Sequence, residues 1–158
     1  MASSIFTTWA EYGAAVTRVI DSADSSIKVF DRDLQRLPFE RPEINAQLAN
    51  FLRRRASNRI QIVVQDSGPL LRYGARLMRL LTSYGHNLQV ILATEQTAAL
   101  TDSLLIVDER HAVIRFHVEQ ARGKLIMDDA AETRPYAKRF ADIVAEGGTA
   151  VSPGVPGL

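Results

Sequence analysis

The stretch that decides the fold is TDSLLIVDERHAVIRFH, residues 101–117. Two apolar runs, residues 104–107 and 112–114, flank a short charged segment, and this pattern predicts a β-hairpin. A hairpin does not require Asp, Arg or His at particular places. The charged residues therefore raise the question of whether this hairpin has a catalytic or binding role or only a structural one.

The rest of the chain places this hairpin late in an alternating order of strands and helices. Residues 27–30, 59–66 and 88–93 are apolar runs that predict buried strands. Helical spacing of apolar residues predicts a helix before each of them, the third one running from about Gly68 to Gly85. A strand at 124–127 and a last helix follow the hairpin. This order predicts an α/β fold with a mixed, mainly parallel sheet flanked by helices.

Length and composition indicate one domain and exclude several kinds of protein. The chain has 158 residues, of which 46% are hydrophobic and 23% charged, which is typical of one globular domain. We expect that domain at residues 1–147, followed by a flexible C-terminal tail at 148–158 that is rich in Gly and Pro. The N-terminus does not resemble a signal peptide, and no apolar run is long enough to span a bilayer.

Charge and residue types also limit the ligands. A net charge of +1 provides no general attraction to nucleic acid or to an anionic membrane. The chain has no cysteine, its three histidines lack zinc-ligand spacing, and there is no Gly-rich phosphate loop. The sequence therefore predicts a cytoplasmic protein with neither metal nor cofactor.

The order of elements over residues 10–147 resembles one half of a phospholipase D-like domain. The signature of that family is H-x-K-x(4)-D-x(6)-G-S, in which the His attacks phosphorus and the Lys holds the phosphate. On this chain Asp108 matches the Asp, while Thr101 and Ser103 stand at the His and Lys positions. Arg115 and Phe116 replace the Gly-Ser pair. The resemblance therefore implies the fold of the family with a degenerate catalytic motif.

This degeneracy implies a domain without phosphodiesterase chemistry. Thr101 has no imidazole with which to attack phosphorus, and Ser103 has no charge to stabilise an anionic transition state. We therefore interpret the chain as an accessory, ligand-binding or protein-interaction module. It also resembles a group of bacterial domains that carry no assigned activity. Single-copy members of the resembled family pair across their half-sites, which implies a homodimer.

A second set of polar residues is expected at the end of the hairpin. Arg115 and His117 alternate along its second arm and so share one side of the sheet. The family layout implies that Asp31 and Asp33, at the end of the first strand, lie close to them. The favoured interpretation is a structural network in which Asp31 pairs with Arg115. The alternatives are a site for a polar or anionic ligand, and an enzyme with a rebuilt site around Asp31, Arg115 and His117.

Three arginines form the remaining candidate feature. Arg72, Arg76 and Arg79 are spaced i, i+4 and i+7, which predicts one stripe on the third helix. Such a stripe can contact phosphates and would indicate a nucleic-acid or phosphate-binding domain. The near-zero net charge favours the other interpretation, in which these residues form the solvated face of an amphipathic helix.

Overall fold

The structure is a computed structural model that describes residues 3–153. The strands are β1 (Ser3–Phe6), β2 (Ser26–Asp31), β3 (Arg59–Val64), β4 (Leu88–Ala93), β5 (Ser103–Val107), β6 (His111–Arg115), β7 (Gly123–Ile126) and β8 (Gly148–Ala150). The helices are α1 (Trp9–Asp21), α2 (Pro42–Arg54), α3 (Gly68–Tyr73), α4 (Ala75–Ser83) and α5 (Ala130–Ala145). Short 3-10 turns lie at Pro38–Glu40 and Glu95–Thr97.

The strands form one mixed sheet in the order β1-β7-β6-β5-β2-β3-β4-β8. Strands β2, β3 and β4 are parallel and are connected through α2 and through α3 and α4. The other pairings of the described sheet are antiparallel. The predicted α/β fold with a mixed sheet and flanking helices is confirmed. Its parallel part is smaller than predicted, because the hairpin pairs antiparallel with β2 and a short antiparallel strand lies at each edge.

The two faces of the sheet are covered unequally. Helices α1 to α4 pack on one face and form the larger core with alternate strand residues. The single helix α5 covers the other face, where Phe140 and Ile143 pack against Phe30, Leu104 and Ile106. The hairpin is buried on both faces, and this explains why its strands read as continuous apolar runs.

The helix predicted between Gly68 and Gly85 is interrupted at Gly74. A Cβ atom at this position would lie 2.6 Å from the carbonyl oxygen of Leu70, so a larger residue would not fit. Arg72 therefore belongs to α3, whereas Arg76 and Arg79 belong to α4. The prediction of one continuous arginine stripe on a single helix is wrong, because glycine at this point ends one helix and begins the next.

The predicted flexible tail is wrong for its first residues. Gly148–Ala150 forms β8, which pairs with β4, and the amide of Val151 donates to the carbonyl of Val90 at 2.8 Å. Gly147 turns the chain from α5 into this strand with φ of 84°, a conformation that glycine adopts without steric cost. Backbone hydrogen bonds to the edge of β4 thus hold the first residues of the predicted tail in place. Residues 154–158 of the predicted tail lie outside the described residues.

Candidate functional site

The turn of the hairpin holds Asp108, the one residue that matches the family signature. Asp108 and Glu109 both have positive φ, at 57° and 58°, and together they reverse the chain between β5 and β6. The Asp108 carboxylate accepts hydrogen bonds from the amides of Asp24, Ser25 and Ser26 at 2.9, 2.7 and 3.0 Å. Asp108 therefore fastens the hairpin turn to the start of β2, the end of that strand opposite to Asp31.

At the other end of the hairpin, the positions of the catalytic His and Lys carry small hydroxyl side chains. Thr101 is exposed before β5, and its carbonyl accepts from the amide of Val118 at 2.7 Å. Ser103 is buried and lies opposite Arg115 in the hairpin register. Neither position provides the imidazole or the ammonium group of the family signature, and the hydroxyl groups there would need a neighbouring base to act as nucleophiles.

The space beside Ser103 is occupied by a buried ion pair. Nη2 of Arg115 lies 3.2 Å from Oδ1 of Asp31, and the two side chains are only 1% and 2% exposed. The second carboxylate oxygen of Asp31 accepts from the amides of Leu34 and Asp33 at 2.7 and 3.2 Å. Both oxygens of Asp31 are thus engaged within the protein, as burial of a charged group requires.

Aromatic rings enclose the guanidinium group of Arg115. Its central carbon lies 5.1 Å from the ring centroid of Trp9 and 4.8 Å from that of Tyr12. Within residues 3–153 its Nε and Nη1 atoms have no hydrogen-bond partner, so the ring faces supply the remaining stabilisation of the cation. Burial raises the pKa of the Tyr12 phenol well above its usual value, and the charge of Arg115 opposes this only in part. The phenol therefore stays protonated at neutral pH.

Trp9 separates this ion pair from solvent. The indole ring has the Arg115 guanidinium near it, and the guanidinium carbon of Arg36 lies 4.2 Å from the ring centroid. Trp9 itself is half-buried and begins helix α1. Trp9 and Tyr12 recur at helical spacing, which predicts that they are buried but does not reveal that their rings contact Arg115.

The structure joins only two of the four residues expected at the end of the hairpin. Asp31 and Arg115 form the ion pair. The carboxylate of Asp33 instead accepts from the backbone and side-chain amides of Gln35 at 3.1 and 3.0 Å. Nδ1 of His117 accepts from the amide of Glu119 at 3.1 Å. Both residues form local contacts in their own loops, and within residues 3–153 no hydrogen bond connects either of them to Arg115.

A second histidine, His111, is buried at the start of β6. Its Nδ1 accepts from the amide of Asp128 at 2.9 Å, which fixes the loop before α5 to the hairpin. Burial lowers the pKa of the imidazole, and this agrees with its role as an acceptor, since the accepting nitrogen must be unprotonated. His111 is thus a neutral structural residue in the folded protein.

The three candidate arginines of α3 and α4 are on the surface. Arg72, Arg76 and Arg79 are exposed, and none of them forms an ion pair with a carboxylate among residues 3–153. In the same part of the chain, no group of three or more His, Asp or Glu side chains is arranged to hold a metal ion. None of the described helices combines the length and apolarity needed to cross a membrane.

Comparison with known proteins identifies the fold. Residues 8–148 match the family described as "Domain of unknown function (DUF7931)". No curated protein matches the chain by sequence. Nuc from Salmonella typhimurium, a phospholipase D family member, superposes with a TM-score of 0.66 at 18% identity, over 96% of this chain and 99% of Nuc.

Two further solved structures have the same arrangement of elements. NucT from Helicobacter pylori superposes with a TM-score of 0.55 at 13% identity, over 96% of this chain and 98% of NucT. TrmBL2, an archaeal chromatin protein whose structure shows a novel mode of DNA binding, gives 0.70 at 11% identity, over 96% of this chain and 54% of TrmBL2. At these identities the likeness concerns the fold alone. The predicted phospholipase D-like fold is confirmed.

Proposed function

The chain belongs to the DUF7931 family, and we propose that it uses its phospholipase D-like fold as a non-catalytic module that binds a ligand or another protein. The observation that carries this proposal is the buried pair of Arg115 and Asp31. Its charged atoms lie beside Ser103, where the resemblance implies the phosphate-binding Lys, and they are withdrawn from solvent. A substrate phosphate would have to displace the aromatic rings to reach them.

The proposal is tested by assaying the purified protein for phosphodiester hydrolysis. We expect no turnover of bis-(p-nitrophenyl) phosphate, phosphatidylcholine or single-stranded DNA above a buffer blank, because Thr101 provides no imidazole and Ser103 provides no cation. The matched variants are His117→Ala, which removes the histidine of the hairpin end, and His86→Ala, at an exposed position elsewhere. Turnover that is lost in His117→Ala and kept in His86→Ala would contradict the proposal and support an enzyme with a rebuilt site.

That rebuilt enzyme, with Asp31, Arg115 and His117 as its site, receives little support from the geometry. Asp31 and Arg115 are engaged with each other and are shielded from solvent. His117 accepts a hydrogen bond from its own loop instead of contacting the pair. A nucleophile would need an open approach to substrate and a neighbouring base. For this reason we propose binding, and not catalysis, as the function of this end of the sheet.

We propose that the binding partner includes a second copy of the chain, as the resemblance to single-copy phospholipase D-like proteins implies. Phe116 directly follows β6 and is 43% exposed, which places an apolar ring on the surface beside the buried pair. A two-fold dimer would cover the same patch on both copies. Sedimentation equilibrium at micromolar concentration tests this proposal, and a mass near 17.5 kDa would contradict it.

The dimer surface is tested with two apolar residues that are similarly exposed. Phe116→Ser removes the ring at the hairpin end, whereas Leu71→Ser removes a 57% exposed side chain on α3. We expect the first change to shift the protein to monomer and the second to leave the dimer intact. The opposite pattern would place the contact on another surface and contradict a dimer formed through the hairpin end.

A nucleic-acid or phosphate-binding domain is the second candidate function, because Arg72, Arg76 and Arg79 are exposed and lack carboxylate partners within residues 3–153. TrmBL2, with a similar fold, binds DNA. The net charge of +1 and the break at Gly74 argue against a continuous basic surface. Fluorescence anisotropy of a labelled duplex decides between the candidates: salt-sensitive binding that weakens in Arg76→Ala would favour this one.

A further inference from the structure

A cavity of about 270 Å³ lies between the loop that follows β2 and the helices α3 and α4. Its wall is mostly apolar and includes Leu34, Leu37, Phe39, Leu70, Tyr73 and Leu77. The loops that form it follow the carboxyl ends of β2 and β3, which are adjacent parallel strands. The cavity is well separated along the chain from the hairpin.

The charged residues in this wall are carboxylates. Asp33 and Glu40 line the cavity, and no arginine or lysine does so among the described residues. The oxygens of Glu40 accept from the amides of Arg76 and Leu77 at 2.9 and 3.0 Å, so this carboxylate caps the start of α4. Asp33 is half-buried and forms no ion pair within residues 3–153.

Asp33 keeps the capacity to bind a donor. Its carboxylate accepts two hydrogen bonds, both from Gln35. An ionised carboxylate has about four acceptor positions, so roughly half of them remain available. A cationic donor is the group that such a half-buried carboxylate binds best, since charge-assisted hydrogen bonds are stronger than neutral ones.

The apolar part of the wall is fixed by the backbone of Leu34. This residue has φ of 68°, a left-handed conformation that is rare for leucine. Two hydrogen bonds hold it there: its amide donates to Asp31 at 2.7 Å, and its carbonyl accepts from the amide of Leu37 at 3.1 Å. A backbone held in this way costs free energy and persists only where the surroundings enforce it. Leu34 is therefore held in one position in the wall of the cavity.

We propose that this cavity binds a small organic cation, an amine carried on an apolar body. The ammonium group donates to Asp33, and the apolar body packs against Leu34, Phe39 and Leu70. Tyr73 lines the cavity and exposes 70% of its surface, and because the guanidinium carbon of Arg72 already lies 6.0 Å from its ring centroid, the ring contributes apolar contact at the mouth. This binding does not depend on whether the hairpin end is catalytic.

The proposal is tested by NMR titration of the full ¹⁵N-labelled chain with phenethylamine and with phenethyl alcohol, a neutral molecule of the same shape. We expect the amine to shift the amides of residues 33–40 and 69–77 at millimolar concentrations. Its affinity should exceed that of the alcohol about three- to tenfold, in keeping with a partly screened charged hydrogen bond.

Two carboxylate variants complete the test. Asp33→Asn should reduce the affinity for the amine to that for the alcohol, because the charge is lost while the local turn is kept. Asp66→Asn changes an exposed carboxylate that follows β3 and lies outside the wall, and it should leave both affinities unchanged. Equal affinities for amine and alcohol in the unaltered chain, unchanged amine binding in Asp33→Asn, or shifts confined to other surfaces would each overturn the proposal.

Discussion

The two ends of one short segment, Asp31 and Asp33, belong to very different regions. Asp31 is buried, and its carboxylate is used entirely by Arg115 and by two backbone amides. Asp33 follows two residues later, lines a cavity, is only half-buried, and forms no ion pair within residues 3–153. The hairpin end, with Asp31 and Arg115, is therefore a region closed to solvent. The cavity beyond β2, lined by Asp33, is a region open to solvent. Polar residues that lie close together in the sequence can thus have unrelated roles.

The buried ion pair in the closed region is stable only because several contacts together offset the cost of removing its charges from water. Removing two charges from water costs several kcal/mol for each ion, and their attraction offsets this only with good geometry and further hydrogen bonds. Asp31 has those hydrogen bonds, and Arg115 has the rings of Trp9 and Tyr12. Removal of one charge should therefore be far more damaging here than in the open region.

The largest expected effect comes from changing the two aspartates separately. Asp31→Asn removes the partner of a buried guanidinium and should lower the free energy of unfolding by about 3 to 5 kcal/mol. Asp33→Asn keeps an acceptor for the backbone amide of Gln35 and loses only an exposed bond from the Gln35 side chain. It should therefore change the free energy of unfolding by less than about 0.5 kcal/mol. Urea denaturation followed by circular dichroism measures both. Similar small losses in the two variants would remove the distinction between closed and open regions.

A smaller effect is expected at the hairpin turn. Asp108→Ala removes the acceptor of the amides at residues 24–26 and should cost about 1 to 3 kcal/mol beyond the backbone effect. Glu109→Ala is the matched control, because both residues have positive φ and Glu109 forms only a partly exposed pair with Lys28. Equal losses in the two variants would mean that the hydrogen bonds of Asp108 add nothing, and that the hairpin is held by its apolar residues alone.

These contrasts also indicate what the sequence could predict. The order of apolar runs was enough for the α/β fold, because buried strands and amphipathic helices have distinct periods. The share of parallel pairing was overestimated, because the short strands Ser3–Phe6 and Gly148–Ala150 have no apolar pattern and form only along an existing edge. An edge strand forms by backbone pairing with a neighbouring strand, and the local residue pattern does not show which strand that neighbour is.

The candidate site was predicted in part for similar reasons. The pairing of Asp31 with Arg115 could be inferred, since the ends of neighbouring strands meet at one edge of a sheet. The aromatic enclosure could not, because it depends on how α1 packs against the hairpin. The cavity was also missed, since it depends on the left-handed Leu34 and on the helix break at Gly74. Neither conformation leaves a periodic signal in the sequence.

The smallest expected effect is a pH dependence due to His111, which is buried beside the hairpin turn. Burial lowers the pKa of its imidazole below the unfolded value of about 6.5, so the unfolded chain binds more protons as the pH falls. The stability that His111 contributes is present above that value and is lost on acidification. Urea midpoints should therefore fall less between about pH 7 and pH 5 in His111→Asn than in the unaltered chain. His86→Asn, at an exposed position, is the control, and a slope equally reduced there would contradict this origin.

The most direct measurement is a double-mutant cycle on Asp31 and Arg115, which tests whether the hairpin end is a structural ion pair. The free energy of unfolding is measured for Asp31→Ala, for Arg115→Ala and for the double variant. Each single change leaves a buried charge unpaired, whereas the double change removes both charges. A structural pair predicts that the summed losses of the single variants exceed the loss of the double variant by about 2 to 3 kcal/mol. Losses that add to within about 0.5 kcal/mol would contradict it, because they would show that the two charges do not stabilise each other.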